Sequence, residues 1–477
     1  MKYESTNGVV KGASFQDVML SGYADDGGMF LPECIPEISL EELRRFSALT
    51  YAELCKEIVK KFSTSEEYTA LNIDTLIEKA FSTFDCKEIV PVKSVGEFHV
   101  AELWHGKSLA FKDLGISCLA AFTEEYLRKR GLHANLTCAT SGDTGSAIME
   151  HVKGSDFIDV FTLYPEGRCH NIQELQMACI EDSNVHTFCA QGTSDDFDTV
   201  FQVIYEDKDF VKEHNIISFN SLNWLRILIQ MTHYIYSYLD VVKNIGDLVT
   251  IVVPSGGLGN LTAGYFCYLM GVPIKLVAAV NQNAATHHIL STGIFSVPNE
   301  VLRSSSCSMD IAVPYNFQRL LYLATNRDNT TARLMQELTE KKVTRIPDDV
   351  IFKLRQAVQS ATVSEDDVKE TIKKVWDNYG YHVEPHTAVA ASIALDAKKY
   401  GVDFAGTEVV VLACASPQKF PEVFQELGVP FEQANSIKQL LSKEKHIKRL
   451  REGEDWITPV KAGIVEATKK FRDNKKK

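Results

Sequence analysis

Long apolar stretches, a basic surplus and paired cysteines are all missing from this chain of 477 residues. No apolar run approaches the ~18 residues that a membrane span requires, so no membrane partner is expected. Fifty Lys and Arg stand against 63 Asp and Glu, a formal net charge of −13. Phosphate backbones demand a basic face, so nucleic acid is not expected as the main partner, although local basic pockets for small anions stay open. Eleven cysteines are scattered from Cys34 to Cys414 with no CxxC pair, which excludes an obvious disulfide framework and fits reduced thiols. Met1 to Lys11 holds charges and polar groups in place of a secretory apolar core, and the cytoplasm is the expected compartment. His382 and His386 have an i, i+4 spacing, but Pro385 lies between them and no cysteine is near, so no metal is expected. A composition of 45% hydrophobic and 24% charged residues is that of a folded globular chain, which excludes a disordered polymer.

At roughly 150 residues per domain, two or three domains are expected. Residues 1–97 read as mostly helical, with a turn at Ala24–Gly28, a capping box at Ser39 and Glu42, and helical periodicity over 51–63 and 71–84. Residues 98–235 alternate strand and helix, with a helix over 112–130 and strands over 136–140, 159–164 and 185–190. A second series over 236–425 has strands at 248–253, 275–280 and 409–413. This alternation predicts βαβ units and two parallel-sheet α/β lobes, with a site where the strands' carboxyl ends meet. Residues 426–477 form a charged helical extension, and the stretch from Lys443 reads as a solvated, frayed end.

Three constellations carry chemistry. The apolar strand 248–253 runs into Pro254-Ser255-Gly256-Gly257-Leu258-Gly259-Asn260 and then a helix, an arrangement that gathers backbone amides and a helix start around one anion. A dinucleotide does not fit, because the third glycine position is Thr262 and the next strand ends at Asn281 where an acid is required. A lone phosphate ester is the better ligand; the alternative is a tight turn with none. The loop Thr140-Ser141-Gly142-Asp143-Thr144-Gly145-Ser146 offers amides and hydroxyls suited to a small carboxylate, or merely an N-cap from Asp143 or Thr144. Lys112 lies between an apolar run and a helix start, and a lysine in apolar surroundings becomes a nucleophile or Schiff-base former. On its own it could be an ordinary surface lysine. Together the three point to pyridoxal phosphate chemistry, with partners for an aldehyde, a cofactor phosphate and an amino-acid carboxylate.

At this point the chain resembles the threonine synthase family. The resemblance rests on Asp26-Gly27-Gly28-Met29-Phe30-Leu31-Pro32, Ala101–Asp113 around Lys112, Ala139–Gly145, Pro254–Gly264, Ser308-Met309-Asp310, Glu384–Ala390 and Lys419-Phe420. It is strongest to the animal threonine synthase-like 2 phospho-lyases, through Ile172–Met177, Asn220–Trp224, Asp310–Asn316 and Arg451–Trp456. It implies a fold-type II pyridoxal 5'-phosphate enzyme, like the tryptophan synthase β chain, in which the small lobe carries Lys112 as the Schiff-base lysine. It further implies that Ser255, Gly256, Gly257, Leu258 and Gly259 hold the cofactor phosphate, and that Ser141, Gly142, Asp143 and Thr144 face the amino-acid carboxylate.

Two departures from the family pattern bear on activity. Microbial synthases carry Gly-Arg/Lys-Ile-Ser-Pro ahead of the Gln-Glu pair, whereas this chain has Gly167-Arg168-Cys169-His170-Asn171. Arg168 remains as a candidate for the substrate phosphate, with Lys107 and Lys419 as possible companions. Near the end, synthases place a threonine hydroxyl at the cofactor's pyridine nitrogen, and here Cys414 offers only a weak S–H. The expected activity is therefore a phospho-lyase that converts O-phosphohomoserine, O-phosphothreonine or both to 2-oxobutyrate, ammonia and phosphate. The alternatives are a threonine synthase and, more remotely, a catalytically silent binding protein of the same fold. The only partner expected is a small phosphorylated amino acid; the oligomeric state is left open.

Overall fold

The computed structural model describes residues 1–140, 142–192, 194–451 and 454–475. The larger of its two main sheets has the strand order Val358–Thr362, Ile274–Val280, Val249–Pro254, Glu408–Ala413, Phe98–Glu102, Val92–Val95. All neighbours run parallel except the last pair. The smaller sheet has the order Lys448–Leu450, Val185–Ala190, Ile158–Pro165, Ala134–Ala139, Ile216–Ser218 and is parallel throughout. Val249–Pro254 is buried at every position, which is why its sequence is a continuous apolar run: helices cover both faces of such a sheet. Two parallel-sheet α/β lobes and an N-terminal helical region are thus present.

Strand partnership departs from the expected division. Phe98–Glu102, expected to open the small lobe of 98–235, pairs instead with Glu408–Ala413 in the larger sheet, Val100 opposite Val411. Val92–Val95 then adds as the antiparallel edge. Periodicity reports that a strand exists and which faces are buried; it carries no information about a partner some 300 residues away.

The N-terminal region follows its local signals. Ser39 and Glu42 form the capping box, the Glu42 amide 3.2 Å from Ser39 Oγ and the Ser39 amide 3.0 Å from Glu42 Oε2. Thr50/Glu53 and Thr64/Glu67 repeat the device. The helices run Tyr51–Lys61, Ser65–Leu71 and Ile73–Phe81, the last two parted by Asn72 in the left-handed conformation. This bundle packs on the long buried helix Trp224–Val241, where Trp224 meets the rings of Phe62 and Phe266 at 5.9 and 4.9 Å.

The end of the chain is a correction to the frayed tail. Ile457–Asn474 is a helix whose Val460 and Ile464 are fully buried, with Ala467 and Thr468 nearly so. They pack on Phe161, Leu163 and Phe188 of the smaller sheet, and Thr468 Oγ1 accepts a hydrogen bond from Asn135 at 3.0 Å. The i, i+4, i+7 stripe was hidden by the charges on the opposite face.

These elements bring the carboxyl ends of four strands together: Phe98–Glu102 leads to Lys112, Ala134–Ala139 to Asp143, Val249–Pro254 to the glycine loop and Glu408–Ala413 to Cys414. Among the described residues no helix is long and apolar enough to cross a membrane.

Candidate active site

Lys112 opens the helix Lys112–Arg130. The loop before it is pinned from two sides. Asp113 Oδ2 accepts the amide and hydroxyl of Ser108 at 2.8 and 2.9 Å, while Oδ1 meets His151 at 2.9 Å. A Cβ at Gly106 would collide with Asp113. On the other side the Phe111 amide donates to Cys414 O at 2.8 Å and the Ser416 amide to Leu109 O at 2.9 Å. Backbone and carboxylate together fix where the Lys112 side chain begins.

Its amine does not lie in apolar surroundings. Lys112 Nζ is 3.0 Å from Asp143 Oδ2, and Lys419 Nζ is 2.7 Å from Asp143 Oδ1, with Asp143 and Lys419 both buried. Gln173 Nε2 donates to Oδ1 at 2.8 Å and Ser308 Oγ lies 3.4 Å from Oδ2. Burial alone would raise the Asp143 carboxyl, but the charges of Lys112 and Lys419 hold it well below the usual carboxylate range. This corrects two expectations. The Asp143 carboxylate does not face a substrate carboxylate, since like charges repel; it joins two ammonium groups. Lys419 is not part of an open basic patch with Arg168, because it is enclosed and also donates to Ser108 O at 2.8 Å.

Helix Asp143–Val152 starts after Gly142 at φ +141, where a side chain would press on Gln173 at 3.0 Å. Neither Asp143 nor Thr144 supplies the cap. Thr140 Oγ1 accepts the Gly142 and Gly145 amides at 3.1 and 3.0 Å. Thr144 is half-buried beside this helix start, and Ser141 lies outside the described residues.

In the glycine loop, the Ser255 amide donates to Ala279 O at 2.8 Å and its hydroxyl to Val253 O at 2.8 Å. Leu258 adopts φ +63 and begins the helix Gly259–Leu269. A Cβ on Gly256 would stand 3.0 Å from Met309 Cα and 3.1 Å from Ser308 O, so the segment carrying Ser308 closes on this loop. The amides of Gly256, Gly257, Leu258 and Gly259 find no protein acceptor among the described residues. Unpaired amides at a helix start are a cradle for phosphate, and they fit pyridoxal 5'-phosphate, with Lys112 at its aldehyde.

A second buried pair stands behind the site. Glu384 caps Pro385–Leu395, its carboxylate accepting from the His386 and Thr387 amides at 2.7 and 2.8 Å and from Thr387 Oγ1 at 2.7 Å. His386 Nδ1 is 2.6 Å from Glu384 Oε2, and Nε2 takes the Ser308 amide at 3.1 Å. Burial opposes a charge on this ring while Glu384 favours one, so its proton affinity is raised, and a second proton would displace the Ser308 amide. Thr387 Oγ1 accepts the Cys414 amide at 3.2 Å. The Cys414 thiol is buried and pushed up by that burial. His382 turns elsewhere, to Pro430 O at 2.7 Å.

Arg168 and Lys107 are exposed, and no hydrogen bond or ion pair ties either to Lys112 or Asp143 among the described residues. Sequence reasoning missed the roles of Gln173, Ser308, His386 and the Lys419–Asp143 pair. Their motifs were visible, but contacts spanning 30 to 276 positions leave no local spacing.

Two families match the chain: "Threonine synthase N terminus" over residues 2–81 and "Pyridoxal-phosphate dependent enzyme" over 94–415. The human protein called threonine synthase-like 2 is 37% identical, over 99% of both chains. The threonine synthase of Saccharomyces cerevisiae is 33% identical over 91% of this chain and 90% of that one. Among solved structures, the pyridoxal-phosphate-bound threonine synthase of Brucella melitensis superposes with a TM-score of 0.90 at 31% identity, covering 98% of this chain and 99% of its own.

Proposed function

The chain belongs to the threonine synthase family of pyridoxal-phosphate-dependent enzymes, and from that premise we propose that it is a phospho-lyase, a carbon–oxygen lyase acting on phosphate esters. Its substrates are O-phosphohomoserine, O-phosphothreonine or both. One phosphoester and one water yield 2-oxobutyrate, ammonia and phosphate. The observation that carries this reading is the turn Gly167–Asn171, where Cys169, His170 and Asn171 replace the Ile-Ser-Pro of microbial synthases. The hydroxyl of that serine is gone, and the His170 ring in its stead faces Ser305 O at 3.2 Å. Cys414 in place of a threonine hydroxyl supports the same reading.

The cofactor, when bound, acts as an electron sink that makes the substrate's α-proton acidic. Lys112, displaced by the substrate amine, takes that proton on Nζ and acts as general base and then acid. Asp143 holds the ammonium form of Nζ in place between transfers. The start of helix Asp143–Val152, with Thr144, receives the substrate carboxylate. Arg168 remains as the cation for the substrate phosphate, since Lys419 is committed to Asp143. The C–O bond breaks with its electron pair passing to the phosphate oxygen. A synthase must deliver one water to the β-carbon before letting go, and a lyase need not. Elimination from the γ-position of phosphohomoserine and from the β-position of phosphothreonine leads to the same four-carbon skeleton, so loss of water control admits both. Eleven free thiols support a reducing, cytoplasmic setting.

A second reading, threonine synthase, is favoured by the 33% identity to the yeast enzyme. The phospho-lyase reading is tested by supplying O-phosphothreonine and O-phosphohomoserine to cofactor-loaded enzyme. Phosphate and 2-oxobutyrate should appear in equal amounts; failure of the loaded enzyme to turn over either ester would remove the reading.

A further inference from the structure

Beside the residues assigned above lies Cys307, first in the short 3-10 turn Cys307–Met309. Its sulfur is hydrogen-bonded by His170 and His386, lies 3.7 Å from Gln173 Oε1, and faces Cys169. Cys307 and His170 are both partly open to solvent. His170 Nε2 is 3.2 Å from Ser305 O, so a neutral ring keeps its proton there and leaves the Nδ1 lone pair to accept the thiol's proton. On His386, Nδ1 is committed to Glu384 and Nε2 is left for the Ser308 amide and the thiol. Phe420 fixes both rings, 4.8 Å from His170 and 5.4 Å from His386.

Burial works against a thiolate at Cys307, yet the two imidazoles outweigh it and bring the thiol down to about 7. Burial instead pushes up the thiols of Cys86, Cys169, Cys179, Cys189 and Cys414. Exposure ranks the cysteines differently, with Cys34 the exposed one.

We propose that Cys307 is a modification site for small hydroperoxides, with His170 as its base, through which oxidation shuts the adjacent active site. The thiolate sulfur attacks one peroxide oxygen, a new S–O bond forms and the O–O bond breaks. The leaving hydroxide takes the proton from His170 and departs as water. Sulfur is oxidised by two electrons to the sulfenic acid and the peroxide is reduced. Ser308, the next residue, touches Asp143 through its hydroxyl and His386 through its amide. An added oxygen at Cys307 therefore disturbs the Asp143–Lys112 pair. A small dithiol reverses the step, taking the oxygen as water and becoming a disulfide.

The test treats cofactor-loaded enzyme with hydrogen peroxide, traps sulfenic acid with a cyclic diketone probe, and maps the labelled peptides by mass spectrometry. Cys307 should carry most of the label ahead of exposed Cys34, and turnover should fall in step and return with dithiothreitol. His170→Gln should slow labelling at neutral pH by about tenfold, because the thiolate fraction returns to that of an ordinary thiol. The labelling profile should move to higher pH in parallel. Cys307→Ser should keep its turnover under peroxide. Label concentrated on Cys34 with Cys307 unmodified would overturn the proposal, as would a Cys307→Ser enzyme that stays as sensitive as the parent. The map on the unsubstituted chain decides the matter even if a variant folds poorly.

Discussion

Asp143 holds two ammonium groups inside the protein, and its removal exposes what it compensates. Asp143→Asn leaves Lys112 and Lys419 without their counter-charge, and stability measured by urea unfolding should fall by about 3–5 kcal/mol. Lys419→Met keeps the Lys112 pair and should lose less. The pH dependence follows from the sign of the shifts. Asp143 and Glu384 are both held below their usual range in the folded state, so their stabilisation is complete above the unfolded value of about 4 and is lost as pH falls through it. Thermal melts between neutral pH and about pH 3 should show that loss, and Asp143→Asn should flatten it. Lys112→Ala should yield a colourless protein whose turnover is lower by about 10²–10⁴-fold. Lys112 was legible because a motif surrounds it. The partnership with Asp143 was not, since an acid in a loop rich in hydroxyls reads as a cap until its distance from Lys112 is known.

Among the elements, the glycine loop and the last helix make opposite claims on sequence reading. Strand, glycine loop and helix were all evident from 248 to 270, and the amide cradle followed from them. Its closure by Ser308 and Met309 was not evident, because it depends on a turn some fifty residues later. Gly256→Ala places a Cβ against that backbone, whereas the nearest atom to one at Gly257 is Ser221 Oγ at 4.0 Å. Titration with pyridoxal phosphate should therefore show clearly weaker binding for Gly256→Ala than for Gly257→Ala. The helix Ile457–Asn474 was obscured by its own charges. Ile464→Ala, which empties a fully buried position, should destabilise the protein by about 2–5 kcal/mol in denaturant unfolding.

For the whole molecule, the surplus of 13 negative charges excludes a polyanion surface and leaves small anions to the cleft. The two-lobe fold was legible from strand–helix alternation and from motifs in family order. Which strand joins which sheet was not, because Phe98–Glu102 and Glu408–Ala413 meet only through the folded topology. Likewise the substituted turn at Cys169–Asn171 was visible as a departure, while its contact with Cys307 across 137 positions became clear only in three dimensions. What the departures imply is a cleft that performs the family's elimination without directing its water. The most direct measurement follows the four-carbon products of O-phosphohomoserine by NMR in one reaction with loaded enzyme. The expected result is 2-oxobutyrate and ammonia with little threonine, and threonine as the main product would contradict the assignment.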